Sequence, residues 1–434
     1  MHEDEQHEDG NVTVPHTARR RTASIRVSDG AGTYYRWLMN CLDGIEKDVP
    51  RIIPSAEAAA RVHVEGGAIG IDGDASFLYE GFGRCGGLMS LATRRPDMRI
   101  RLTGLVDSGA SAGALAGVDR RPDGWIRIGF GSGCVLDRAI AEGAPFDHVV
   151  RNHAAVHNGL FPLGDGLWMV PTVQHANLVA LWVWTGEFVA ACTRLGKMPL
   201  MFQGFAFPGG RERALKLGGP AVLGGAGCGS EWLFHDQPPE PVAAGVTGRA
   251  YLLEVRAILE RVWSRETGNI RRAATVAAQA REKGHTIRVA AEFHAFNGIR
   301  NRPCNASWLS YGMPRDAGSN SIKAGDVILC MGYTEVRKDC ADAARAAGAT
   351  FMTSFSSCLE RRRLSERPTG ENRRPDELFI DQHWPFGDAV VQFPGYDIKL
   401  LPPSGVVGEA ILQMFTAEVY TLLAAAGNNP EDTR

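Results

Sequence analysis

Residues 53–76 read IPSAEAAARVHVEGGAIGIDGDAS. Ala56, Ala59, Ala60, Val62 and Val64 predict a helix that stops at Glu65-Gly66-Gly67, where glycine suits a helix C-cap. The apolar run Ala68-Ile-Gly-Ile71 follows as a strand and opens into the polar loop Asp72-Gly73-Asp74-Ala75-Ser76. The same order returns at residues 270–298, IRRAATVAAQAREKGHTIRVAAEFHAFNG, as an alanine-rich helix, a glycine stop, a strand from Thr286 to Ala291 and the loop Glu292–Gly298. Another helical pattern precedes each copy, carried by Tyr35, Leu38, Leu42 and Ile45 in one and by Tyr251, Val255, Ile258 and Val262 in the other. Asp48-Val-Pro50 reads as a break, so each half is expected to open with a helix pair. Tyr34 to Tyr251 and Gly67 to Gly284 share one offset, 217 residues (251 − 34 and 284 − 67). Further on, Phe161–Asp165 is set against Trp384–Asp388 at an offset of 223 (388 − 165), each followed by a strand, a proline and a long apolar helix, 177–195 and 406–426. Repetition on this scale points to one unit written twice.

Strands alternating with helices in both halves predict an α/β protein: two tandem three-layer αβα sandwiches with parallel sheets and flavodoxin-like topology. The expected division is a disordered tail at 1–30, a first domain at 31–235, a linker at 236–248 around Gln237-Pro-Pro-Glu-Pro241, and a second domain at 249–434. In such folds a ligand sits beyond the carboxyl ends of the strands. The loops after Ile71, Ile128, Ala291 and Met331 are therefore where chemistry is expected.

The 434 residues, 44% hydrophobic and 22% charged, exclude a collagen, a coiled coil, a disulfide mini-protein and a fully disordered chain. Lys+Arg 47 against Asp+Glu 49 leaves a net charge of −2, so no basic excess points to nucleic acid or to an anionic membrane. Nine scattered cysteines with no CxxC pair read as reduced thiols. The acidic start has no apolar core of a signal peptide, and the apolar window Leu178–Ala191 reads as too short to span a bilayer. A cytoplasmic protein is expected.

Several stretches resemble the sugar isomerase (SIS) family, in particular its uncharacterised phosphosugar-binding branch. They are Gly66-Gly67-Ala-Ile-Gly-Ile with Tyr79-Glu80-Gly-Phe82-Gly-Arg84-Cys-Gly86-Gly87 in the first half, and Lys323-Ala-Gly325-Asp326-Val-Ile-Leu-Cys-Met-Gly332, Gly387-Asp388-Ala389-Val390-Val391 and Pro403-Ser404-Gly405 in the second. Phe205-Ala206-Phe207-Pro208-Gly209-Gly210 is similar to the family's terminal segment. The resemblance spans about nine-tenths of the chain as two tandem SIS domains. It implies a sugar or sugar phosphate as ligand, aldose/ketose or amino-sugar isomerisation through an enediol, no cofactor, and a homodimer or a chain that pairs its own halves. A non-catalytic sugar-phosphate sensor and a sugar-ether lyase or deglycase on the same scaffold are the rivals. The family's hydroxyl-rich phosphate loop is replaced here by Met331-Gly332-Tyr333-Thr334-Glu335, while Gly129-Phe130-Gly131-Ser132-Gly133 is the better cradle.

Each candidate residue has a plainer reading beside it. Ser132, flanked by Gly131 and Gly133, either donates to a phosphate at a helix N-terminus or simply caps that helix. Glu80 occupies the place of the family's active-site carboxylate and is a general-base candidate, against a solvated helix charge. Asp72, Asp74 and Ser76 either hold sugar hydroxyls or phosphate or cap the next helix. Glu292 and His294, two apart at a strand end, share a face and suit a base and its proton-shuttling partner, against a core histidine. His383 before Trp384-Pro385 is a further acid/base candidate, and Thr334 a further anion donor. Asp165 and Asp388 are read as chain-turning residues. His148, His153 and His157 form a weak metal pattern, and no metal is expected. Trp182, Trp184, Phe188 and Val189 read as a buried helix and pairing seam.

Overall fold

The chain is described as a computed structural model covering residues 29–91, 98–106, 124–164, 167–218, 234–236, 239–291, 309–311, 322–333, 336, 338–358 and 373–427. Its first half runs α1 (Gly30–Val64), β1 (Ala68–Gly73), α2 (Ala75–Gly81), β2 (Met98–Gly104), β3 (Ile126–Gly131), α3 (Gly133–Ala141), β4 (His148–Arg151), the hairpin β5 (Phe161–Gly164) and β6 (Leu167–Met169), α4 (Val173–Arg194) and the short α5 (Gly210–Gly218). The second runs α6 (Val246–Glu282), β7 (Ile287–Ala291), β8 (Leu309–Tyr311), β9 (Val327–Met331), α7 (Lys338–Ala346), β10 (Thr350–Phe355), β11 (Leu378–Asp381), the hairpin β12 (Val391–Gln392) and β13 (Lys399–Leu400), and α8 (Ser404–Ala425).

The fold is α/β with two parallel sheets, one per half. The first has the order β1-β2-β3-β4 and the second β11-β10-β9-β7-β8, the flavodoxin-like 2-1-3-4-5 arrangement among the second half's own strands. Strands buried on both faces explain the continuous apolar runs. In β9, Val327, Leu329 and Met331 enter the main core, while the intervening Ile328 and Cys330 face a smaller core under α7. The long helices cover the inner face of each sheet and a short helix covers the outer one. That is the three-layer arrangement.

Between the two sheets α1, α4, α6 and α8 pack on one another. α1 lies on α4 as α6 lies on α8, and the cross pairs α1–α8 and α4–α6 repeat the pattern, as about a twofold axis. Trp182, Trp184, Phe188 and Val189 are buried in this seam. α4, at 22 residues, corrects the expectation from Leu178–Ala191: both α4 and α8 are long and apolar enough to cross a membrane by length and composition. All of α4's apolar window and 89% of α8's lie buried inside the molecule, as core helices do.

Three details differ from the sequence reading. First, each expected helix pair is one helix of 35 or 37 residues. Pro50 and Pro54 lie inside the first of them; proline's φ is compatible with the helix, and the hydrogen bond each one costs is outweighed by burial along the helix. Ser55 Oγ donates to the Ile52 carbonyl at 2.7 Å and accepts Trp184 Nε1–H at 3.1 Å, while Leu38, Leu42, Ile45 and Ile52 gain burial along the helix. Second, the glycines that correspond, each one residue past its C-cap (Glu65 and Lys283), are Gly66 (φ 95°) and Gly284 (φ 81°), an offset of 218 (284 − 66). Third, Phe161–Asp165 does not answer Trp384–Asp388. The hairpins β5–β6 and β12–β13 match at an offset of 230 (391 − 161), and Asn158 (φ 52°) is Asp388's (φ 44°) counterpart. Asn158 Oδ1 accepts the Val173 N–H at the start of α4, as Asp388 Oδ1 accepts that of Ser404 at the start of α8. Asp165 and residues 1–28 of the predicted tail lie outside the described residues; α1 already begins at Gly30, capped by Asp29.

Candidate functional site

Parallel strands end together, so the carboxyl edge of the first sheet gathers the ends of β1, β3 and β4. At β3 the chain turns through Ser132 into α3. Ser132 is buried, makes no side-chain cap bond, and lies 3.2 Å from Cys134 Sγ. The Gly133 N–H is the first donor of α3, and it has no hydrogen-bond partner among the described residues. Arg151, the last residue of β4, lays Nη1 2.8 Å from where a Gly133 Cβ would stand, beside the helix start. The same guanidinium pairs with Asp137 at 2.6 and 3.3 Å, and this holds its own pKa above the ordinary arginine value.

At β1 the acidic loop divides its work. Asp74 caps α2, accepting from the Ser76 N–H at 3.0 Å and from the Ser76 hydroxyl. Those two oxygens serve the helix start, the plainer of the two readings. Asp72 Oδ2 pairs with Arg101, while Asp72 Oδ1 is buried without a hydrogen-bond partner among the described residues.

Glu80 is somewhere quite different from a solvated helix face. It is wholly buried, accepts Trp182 Nε1–H at 3.1 Å and lies 3.4 Å from Arg84 Nε. Arg84, also buried, reaches across to the second half. Its Nη2 is 2.5 Å from Ser404 Oγ and 3.5 Å from Asp388 Oδ2. The Ser404 and Tyr333 hydroxyls donate to the same Asp388 oxygen at 2.8 and 2.9 Å. Burial raises the pKa of both Glu80 and Asp388, with Arg84 opposing it. Burial opposes the charge on Arg84 as well, but Glu80 and Asp388 hold it protonated above the usual value. Cys85 Sγ, 3.2 Å from Tyr333 Oη, is pushed by burial up to about 12 and is no nucleophile. This network fastens the aromatic-x-Arg-x-Gly-Gly run of the first half to the Gly-Asp and Pro-Ser-Gly turns of the second. Asp388 thus does turn the chain, as read, and carries an inter-half ion cluster besides. Beside it a cleft of about 240 Å³ opens between Gly86, Gln203 and Phe207 on one side and Phe386, Gly387 and Lys399 on the other.

His383 follows β11 in a left-handed conformation (φ 55°), with Nε2 3.2 Å from Glu266 Oε1 and Nδ1 3.4 Å from Asp381 Oδ2. Both ring nitrogens thus lie beside carboxylates. Glu292, His294 and Thr334 lie outside the described residues; Glu292 follows directly on Ala291, the last residue of β7. The histidine triplet is dispersed, with His153 bonded to Asp48 at 2.7 Å and His157 stacked on Trp168 at 4.5 Å. Among the described residues no group of three or more candidate ligands could hold a metal ion.

By fold the chain is similar to solved structures of phosphosugar isomerases and sugar-binding proteins. One is the C-terminal domain of glucosamine-fructose-6-phosphate aminotransferase from Francisella tularensis, at 9% identity and TM-score 0.45, covering 89% of this chain and 96% of that one. A second is a protein assigned as a tagatose-6-phosphate ketose/aldose isomerase from Clostridium novyi NT, at 9% identity and TM-score 0.46, covering 92% and 91%. A third is tagatose-6-phosphate ketose/aldose isomerase from Escherichia coli, at 11% identity and TM-score 0.36, covering 92% of each chain. No family model and no curated protein matches the sequence.

Two residues that the sequence reading left without a role carry much of this geometry. Arg84 stands in the sequence only as part of a motif, and the sequence reading does not pick out Arg151. Aligning the halves at an offset of 230 is the signal that singles out Arg151, because it sets that arginine opposite Asp381 (381 − 151).

Proposed function

We propose that the protein binds a phosphorylated sugar at the carboxyl edge of its first sheet and isomerises it through an enediol. The observation that carries the binding is the convergence on the start of α3 of an unpartnered Gly133 N–H, the buried Ser132 hydroxyl and the Arg151 guanidinium. A helix N-terminus favours an anion through its free N–H groups and dipole, and arginine adds charge-assisted donors. Asp72, two strands away or about 10 Å, suits the hydroxyls of the sugar's other end. The candidates for proton transfer in this reading are Glu80 and His383, both committed to ion pairs, together with Glu292 and His294. That same commitment favours a second reading, a sugar-phosphate sensor without turnover. A cytoplasmic location belongs to both.

Calorimetry with fructose 6-phosphate, glucosamine 6-phosphate and their unphosphorylated parents tests the binding. The phosphate esters should bind and the parents should not; equal binding of the parents would remove the phosphate from the reading. Ser132→Ala should cost roughly 1–3 kcal/mol of binding, as for a bond to a charged acceptor, and Arg151→Gln about tenfold or more in Kd. Exchange of the C2 proton with solvent separates isomerase from sensor.

A further inference from the structure

The two halves match residue for residue at the ends of the last two strands of each parallel sheet, β3–β4 and β10–β11. Gly131 pairs with Arg151 at the end of β3–β4, and Phe355 with Asp381 at the end of β10–β11. The next N–H returns to the neighbouring strand in both, Asn152 to Gly131 O at 3.0 Å and Gln382 to Phe355 O at 3.1 Å. His153 (φ 56°) and His383 (φ 55°) follow, each with Nε2 on a carboxylate of its half's long helix, Asp48 of α1 or Glu266 of α6. After β3 Ser132 Oγ lies 3.2 Å from Cys134 Sγ, and after β10 Ser356 Oγ lies 3.2 Å from Cys358 Sγ. With the backbones in step, one position differs in sign: arginine at 151, aspartate at 381.

The carboxylate of Asp381 does not point idly. Its Oδ1 accepts two backbone N–H groups at once, Ser357 at 3.0 Å and His383 at 2.8 Å. Their counterparts in the first half, the N–H groups of Gly133 and His153, have no hydrogen-bond partner among the described residues. One half therefore holds a carboxylate oxygen on this pair of donors, and the other sets beside the same donors a guanidinium paired with Asp137.

We infer that Asp381 is the protein's own occupant of the second half's anion position, and that it determines which half takes a phosphate ester. Of these two equivalent positions, the Gly133–His153 pair beside Arg151 is the one open to a phosphate among the described residues. In the second half an incoming phosphate has to displace Asp381 and then face it; Glu266 behind His383 has its counterpart in Asp48 behind His153, so the difference lies at Asp381. This inference rests on the sugar-phosphate reading for the first half only; the closure of the second half stands on the Asp381 bonds.

The test is phosphate stoichiometry, read by calorimetry with fructose 6-phosphate and by ³¹P NMR titration with inorganic phosphate. The wild-type chain should take up one phosphate. Asp381→Arg, which copies the first half, and Asp381→Ser, which frees the two N–H groups with a smaller side chain, should each take up two; either variant suffices if the other does not fold. Two phosphates on the wild type would overturn the inference, as would folded variants that gain none. If the wild type binds no phosphate, the sugar-phosphate reading fails. The inference is then still decided by whether the Asp381 variants gain a phosphate that the wild type lacks.

Discussion

Arg84→Met should lower stability by about 3–5 kcal/mol, because it strands two buried carboxylates that now share one guanidinium. Glu80 and Asp388 are both fully buried, and Arg84 lies within 3.4 Å of the first and 3.5 Å of the second. In a chain of 434 residues that loss is a drop in Tm of roughly 3–6 °C. The deficit should also depend on pH in a stated direction. Burial raises the folded-state pKa of both carboxyl groups. A group of that kind favours folding below its unfolded pKa, near 4, and loses the contribution as pH rises through its folded value. With Arg84 gone the upward shift grows, so the variant should be closest to wild type near pH 5 and furthest from it near pH 8. Denaturant titrations at the two pH values check this. Adding Glu80→Gln and Asp388→Asn should recover most of the loss, since neutral groups do not need the guanidinium. An Arg84→Met deficit that shrinks as pH rises would refute the ion-cluster account.

Trp184→Ala should cost about 3–5 kcal/mol as well, by leaving a cavity where a large aromatic was. The ring is fully buried, stacked on Phe188 at a centroid distance of 5.1 Å and edge-on to Phe130 at 6.1 Å, and its N–H is bonded to Ser55 Oγ. It belongs to α4, which packs on α1 of its own half and on α6 of the other, and one continuous core joins residues of both sheets. The loss should therefore be felt in both halves. Hydrogen exchange should quicken at β9, in the second sheet, as well as at β3, and calorimetry should show a single lowered transition. Exchange confined to the first half would mean that the seam does not couple the two.

The apolar runs of β1, β7 and β9, the glycine stops at Gly66 and Gly284, and the buried character of α4 and α8 could all be read along the chain, because periodicity, caps and strand burial act over a few residues. The existence of a repeat was legible for the same reason, although its register slipped by one residue at the helix stops and by seven at the hairpins until positive-φ residues and strand pairing set it. The prolines of α1 misled because a break is a local tendency, and burial along a 35-residue helix overrode it. Glu80 looked like a solvent-facing base or a helix charge; nothing near it in sequence says that Arg84 will bring it Asp388, 304 residues away from that arginine. Desolvation and ion pairing depend on which surfaces the four long helices press together, and no short window contains that information. The same holds for the opposition of Arg151 and Asp381: the letters are plain in the chain, but their chemistry follows from two strand ends presenting the same pair of N–H groups, one pair bonded by the Asp381 carboxylate and the other set beside the Arg151 guanidinium.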